Sequence, residues 1–97
     1  MQKYSFLDIL SKEIIIDEDA GSIVIKDENS NTLTLDSEGI VMESQGDISI
    51  KATGDVAIEG MNVNLKANAS FKAEGSAGAE VSTSAVAVLK GSLVQIN

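Results

Sequence analysis

Cysteine, histidine, proline, arginine and tryptophan are all missing from this 97-residue sequence, and each absence removes a class of protein. Without cysteine there is no disulfide framework, and with neither Cys nor His no ordinary zinc or haem site can be built. No His also means no Ser-His-Asp triad and no imidazole base. An enzyme is therefore the least favoured class, and no cofactor or metal is expected. Aromatic side chains are 3% of the chain, so the large buried rings of ordinary cores are scarce. The net charge is −8 and all seven basic residues are Lys, a balance that phosphate backbones and anionic lipid repel. No nucleic-acid partner is expected. Apolar runs such as Ile14-Ile15-Ile16 fall far short of transmembrane length. The opening Met1-Gln2-Lys3-Tyr4-Ser5-Phe6-Leu7-Asp8 lacks the apolar core of a signal peptide. Synthesis in the cytoplasm is expected, with any export left to a dedicated machine.

What remains is apolar but small: 43% of residues are hydrophobic, too many for a disordered chain. A single short domain buries proportionally little surface, so oligomerisation is the expected supplement. Charge is unevenly spread. Residues 1–59 hold 13 acidic residues against 4 lysines, whereas residues 60–97 hold Glu74 and Glu80 against Lys66, Lys72 and Lys90.

The dominant signal is self-similarity, the mark of repeat architectures. Apolar residues come as i, i+2 pairs divided by polar turns. The series opens with Ile23/Ile25, Leu33/Leu35 and Ile40/Met42 and continues with Ile48/Ile50, Val56/Ile58 and Val63/Leu65. It closes with Phe71/Ala73, Ala79/Val81, Val86/Val88 and Val94/Ile96. From Ile40 to Val94 the pairs advance in steps of seven or eight residues. An i, i+2 pair puts both side chains on one face of a strand. Between pairs sit turn formers in phase, Gly46, Gly54, Asn62, Ser70 and Gly78. The absence of proline suits strands that must both donate and accept ladder bonds.

An antiparallel sandwich or meander is the plainer architecture for such strands, but it wants bulk. The apolar residues of 66–85 are mostly Ala, with Phe71 and Val81 the only large apolar side chains, too little to fill two sheets packed about 10 Å apart. Three chains winding together need less. The reading is all-β: an intertwined homotrimeric triangular β-helix, or β-prism, built from eight-residue repeats. Each unit supplies one side, and the paired residues, from Ile23 to Val88, line a shared interior. The needle is expected over residues 21–97. Residues 1–20 form an N-terminal docking or irregular segment, in which Tyr4, Phe6, Leu7, Ile9, Leu10 and Ile14 suit either one short amphipathic helix or an irregular strand.

The phased series also resembles a known family. Gly21-Ser22-Ile23-Val24-Ile25, Asn31-Thr32-Leu33-Thr34-Leu35-Asp36, Gly39-Ile40, Gly46-Asp47-Ile48-Ser49-Ile50 and Gly54-Asp55-Val56-Ala57-Ile58 resemble the C-terminal needle of VgrG proteins. These are the spikes of type VI secretion systems, similar to the cell-puncturing spikes of contractile phage tails. The resemblance covers residues 14–97 and includes the closing Lys90-Gly91-Ser92-Leu93-Val94-Gln95-Ile96-Asn97. It implies a trimeric prism on a hub and tube at its N-terminal end, driven mechanically through a target envelope and so delivered outside the cell or into a target. It also implies a blunt tip, here Leu93, Val94, Gln95, Ile96 and Asn97, that receives a PAAR-type cap protein. The chain departs from full-length members in lacking the large hub domains. It also has no His-X-His for the apical iron of some phage spikes.

Other chemistry reads as surface. Asp17/Asp19 and Asp27/Glu28 suit solvated turns better than an acid/base pair or metal site. Gly75-Ser76-Ala77-Gly78 lacks the Lys of a P-loop and suits a corner between strands. Two other functions remain open. One is a passive trimeric stalk of a fibre or adhesin. The other is a polymerising β-helical scaffold resembling bactofilins.

Overall fold

A computed structural model of the protein describes residues 3–9 and 11–97, with side chains from residue 11 onward. Leu10 and the first two residues, on which part of the N-terminal reading fell, lie outside the described residues. The chain divides into two units, Met1–Ala57 and Ile58–Asn97.

The first unit contains a five-stranded antiparallel sheet in sequential order: β1 (Lys3–Ile9), β2 (Lys12–Asp17), β3 (Ser22–Lys26), β4 (Thr32–Asp36) and β5 (Gly39–Glu43). The protein is all-β, with no helix among the described residues. Of the two forms open to the N-terminal segment, it takes the strand, with its pairing interrupted between Phe6 and Ile9. The meander that core volume argues against for residues 66–85 is what the chain adopts from Lys3 to Glu43.

Local chemistry explains each reversal. After β2 the Asp17 carboxylate accepts the Ala20 N–H at 3.0 Å, and Gly21 closes the loop at φ 63°, a conformation that costs a glycine nothing. After β3 the Asp27 carboxylate gathers the loop, and Ser30 takes φ 67°. After β4 a two-residue turn, Ser37-Glu38, is held by the Glu38 N–H on the Asp36 carboxylate at 2.8 Å and released into β5 by Gly39 at φ 130°.

Register then sorts the side chains. Ile16, Ile23, Leu35 and Ile40 stand opposite one another in one row, and Ile14, Ile25, Leu33 and Met42 in the next. Because alternate residues share a face, both rows lie on the same side of the sheet. The other side carries Ile15, Val24, Thr34 and Val41 between charged residues. Across it, Lys26 Nζ meets Glu13 Oε1 at 3.3 Å, an exposed pair worth little in water. No described side chain is buried, so the apolar face has no covering layer within the chain.

The expected interior is therefore not an interior of one chain. Leu33 and Leu35 are half-buried in the sheet, whereas Ile23, Ile25, Ile40 and Met42 are exposed. Further along, Ile48, Ile50, Val56, Ile58, Val63 and Leu65 are exposed, and so are Phe71, Val81, Val86 and Val88. The reason is geometric. A strand and its bend make one wall, and a wall with nothing opposite leaves its apolar face in water.

Beyond Glu43 the chain is extended and bends at regular intervals. Bends fall at residues 45–46 and 53–54 in the first unit, and at 61, 68–69, 76–77, 84–85 and 92–93 in the second. The period is eight residues, with one step of seven between 61 and 68. The expected turn series holds at Gly46 and Gly54 and then slips. Asn62, Ser70 and Gly78 each lie one residue past a bend, and at Ser70 and Gly78 the short step that precedes them accounts for the offset.

Candidate functional site

From Asp47 to Asn97 the backbone makes no ladder and no backbone–backbone hydrogen bond among the described residues. Each N–H and C=O in an extended segment must be paired with something. Within a single chain, side chains such as those of Ser44 and Thr83 pair a few of them and water is left to pair the others.

The first three apolar pairs of this segment repeat one pattern of exposure. In Ile48/Ile50 the first residue is 53% exposed and the second 70%; in Val56/Ile58 the values are 54% and 72%. The next unit follows suit, with Val63 at 51% and Leu65 at 70%. Three successive units thus present the same side-chain environment. In each, the second residue of the pair, Ile50, Ile58 or Leu65, is the one left most open to water. The bends repeat as well. The Ser44 hydroxyl accepts the Gly46 N–H at 3.1 Å, and the Thr83 hydroxyl accepts the Ala85 N–H at 3.1 Å. These residues are 39 apart, which is five units of the observed bend spacing. Likewise a Cβ at Gly60 would stand 3.2 Å from the Asn62 carbonyl oxygen, and one at Gly91 would stand 3.2 Å from that of Leu93. These two glycines are 31 apart, four units. The corners thus hold a common phase along the sequence.

Gly75 is different. A Cβ there would overlap the backbone carbonyl oxygen of Gly78. The Gly75-Ser76-Ala77-Gly78 stretch is therefore a tight corner, and it offers no phosphate cradle beside a helix. Leu93, Val94 and Ile96 near the C-terminus are solvent-exposed. Gln95 and Asn97 are exposed beside them.

Within the first unit, the apolar sheet row runs into the coil. Ile14, Ile25, Leu33 and Met42 line an open groove of about 590 Å³ whose wall continues to Ile48, with Lys12, Lys26, Glu43 and Asp47 among its rim residues. The expected interior began at Ile23; the register adds Ile14 and Ile16 to the same face. Their signal was present as an ordinary i, i+2 pair inside Ile14-Ile15-Ile16.

A hydrogen-bonded junction joins the sheet to the coil, and nothing in the repeat pattern pointed to it. The Asp27 carboxylate accepts the backbone N–H of Asn29 at 2.9 Å and of Asn31 at 3.0 Å through Oδ1, and the Asn31 side-chain amide at 3.0 Å through Oδ2. The Asn31 amide oxygen in turn accepts the Gln45 N–H at 2.8 Å. Hydrogen bonds from Asn31, its side chain first, hold the Asp27 carboxyl below its ordinary value. A lowered carboxylate contributes its stabilisation at neutral pH and loses it only as pH falls through that lowered value. Asp27 is thus a loop organiser. Asp17 caps a turn, and no group of three or more His, Cys, Asp or Glu that could hold a metal occurs among the described residues.

No protein-family model matches the chain, and a search of curated proteins finds none significantly similar to it.

Proposed function

We propose that three copies of this chain wind into a triangular β-prism, and that the prism is the rigid needle of a contractile injection machine of the type VI secretion or phage-tail kind. The observation that carries this reading is the coil from Asp47 onward. Its corners recur every seven or eight residues, its apolar pairs all face solvent, and its backbone makes no backbone–backbone hydrogen bond among the described residues.

Surface area sets the scale. The chain exposes 9442 Å², whereas a compact monomer of 10.1 kDa exposes about 5,300 Å². The excess, about 4,000 Å² per chain, is more than one side of a typical obligate interface buries, as expected of a chain that contacts two partners. Two identical partners supply both the missing ladder bonds and the missing lid over each apolar pair, Leu65 and its counterparts included. A narrow interior suits the side chains present, with Ile and Val in most layers and Ala over residues 66–85. Wrapping the ladder around an axis leaves no lateral edge, which keeps so much strand surface from aggregating.

The needle reading adds to the trimer the resemblance of the phased Gly-Asp units to VgrG spikes, and a composition without Cys or His. In it, hub and tube proteins hold the N-terminal end and the membrane is crossed mechanically. The exposed segment Leu93–Asn97 receives a PAAR-type cap. A chain lacking Leu93–Asn97 is expected to lose capture of such a protein in a pull-down; undiminished capture would exclude this segment as the docking face.

The decisive measurement is solution molar mass over a dilution series. A discrete species of about 30 kDa, three times the 10.1 kDa chain, is expected. It should unfold slowly and in one step, since intertwined chains come apart only together. A folded 10 kDa species removes the prism. Filaments of indefinite length in the electron microscope favour the scaffold instead.

A further inference from the structure

The passage from sheet to coil poses a problem that the repeat alone does not solve. Strand side chains alternate, so slipping the chain by one residue at residue 44 would turn every apolar pair from Ile48 onward to the wrong face. Within the chain the coil has no backbone bonds that resist such a slip. The sheet, by contrast, closes its ladders within one chain through short loops, and short-range contacts form early. Phase has to be set where the two meet.

We infer that the Asp27–Asn31–Gln45 hydrogen-bond chain is the assembly nucleus of the coil: it fixes the residue at which the strand leaves the sheet, so that all copies enter the shared interior in one phase. The inference rests on the trimeric reading and specifies how that trimer begins. Gln45 is the first residue of the first bend and lies two residues past β5. Its backbone N–H is held by the Asn31 amide oxygen at 2.8 Å, and its side-chain amide reaches the Ser30 carbonyl at 3.4 Å. Asn31 is itself immobilised at both ends. Its backbone N–H and side-chain amide both rest on Asp27, and its carbonyl accepts the Asp27 N–H at 3.2 Å. On the far side of the bend, the Ser44 hydroxyl donates to the Asp47 carbonyl at 3.0 Å while accepting from the Gly46 N–H. The corner is thus clamped from the β3–β4 loop on one side and closed by its own hydroxyl on the other.

Refolding kinetics test this. Wild type, Asn31→Ala and Asp36→Ala are diluted from denaturant at equal concentration, and trimer formation is followed by light scattering. Asp36→Ala removes a loop hydrogen bond of similar kind in the β4–β5 turn, away from the junction. Asn31→Ala is expected to slow assembly at least tenfold with the unfolding rate changed less than twofold, as for a contact already made in the rate-limiting step. Asp36→Ala is expected to stay within about threefold of wild type in assembly. Asp27→Asn keeps the loop's shape but sets an amide against the Asn31 amide. It replaces Asn31→Ala if that variant does not fold, with at least threefold slowing expected. Assembly at the wild-type rate, slowing equal to that of Asp36→Ala, or an effect confined to unfolding overturns the inference while leaving the trimer standing. A wild type that never forms a trimer overturns both.

Discussion

Replacing Ile58 by Asp is expected to abolish the trimer, while Ala57→Asp, one residue away, leaves it intact. In the chain by itself Ile58 is 72% exposed, and an exposed position ordinarily tolerates substitution within about 0.5 kcal/mol. A large effect at Ile58 therefore needs a neighbour that the single chain does not supply. In the prism the layer holds three copies of the residue. Losing a buried Ile costs roughly 2–5 kcal/mol per site before charge is considered. Three carboxylates in one enclosed layer add a desolvation cost of several kcal/mol per ion, and they repel one another. Ala57 alternates to the outer side of the same strand, where an added carboxylate stays in water. Molar mass of the purified variants is the readout. If the two substitutions behave alike, the inward placement of Ile58 is wrong.

Gly75→Ala should be far more damaging than Gly78→Ala, because the added methyl meets backbone. Its Cβ would overlap the Gly78 carbonyl oxygen, and no side-chain rotation relieves that. Overpacking of this kind costs roughly 1–3 kcal/mol, and it recurs in each copy. At Gly78 a Cβ meets nothing within 4 Å, and Gly→Ala at an unstrained position stabilises by about 0.4–1 kcal/mol through the unfolded chain. Denaturant midpoints should therefore move in opposite directions for two glycines three residues apart. The contrast also reports on assembly. A solvated, unpaired corner would relax around the methyl at little cost, whereas a corner held by ladders on both sides cannot. Equal midpoints would mean that the corner is free.

Much of the fold is legible in the sequence because a strand's period belongs to its own pleat. Ile48/Ile50 and Leu33/Leu35 read alike, and the register makes Leu33 and Leu35 a same-face pair of the sheet. That same property hides the difference between them. Leu33 and Leu35 pair with β3 and β5 of their own chain, while Ile48 and Ile50 have no strand beside them, and an i, i+2 pattern says nothing about who the neighbour is. The hint lay in the intervals. Ile23 to Leu33 is ten residues and Leu33 to Ile40 is seven, and only after Ile40 does the step settle. Uneven intervals are what hairpins with loops of different length leave behind. The β1–β2 hairpin stayed ambiguous because Tyr4, Phe6, Leu7 and Ile9 suit a helix face as well as an irregular strand. The junction was invisible for another reason: Asp27, Asn31 and Gln45 are ordinary loop residues until the sheet brings position 31 beside position 45.

In the proposed prism each octad past the first corner is one graduation of a ruler. Duplicating one whole octad would lengthen the assembled rod by about 4.8 Å, the spacing between neighbouring strands, and return every downstream side chain to its former orientation. Adding three residues would instead turn the remainder of the rod inside out. Reach can thus be tuned by copying or deleting whole octads, with the ends and whatever they hold left unaltered.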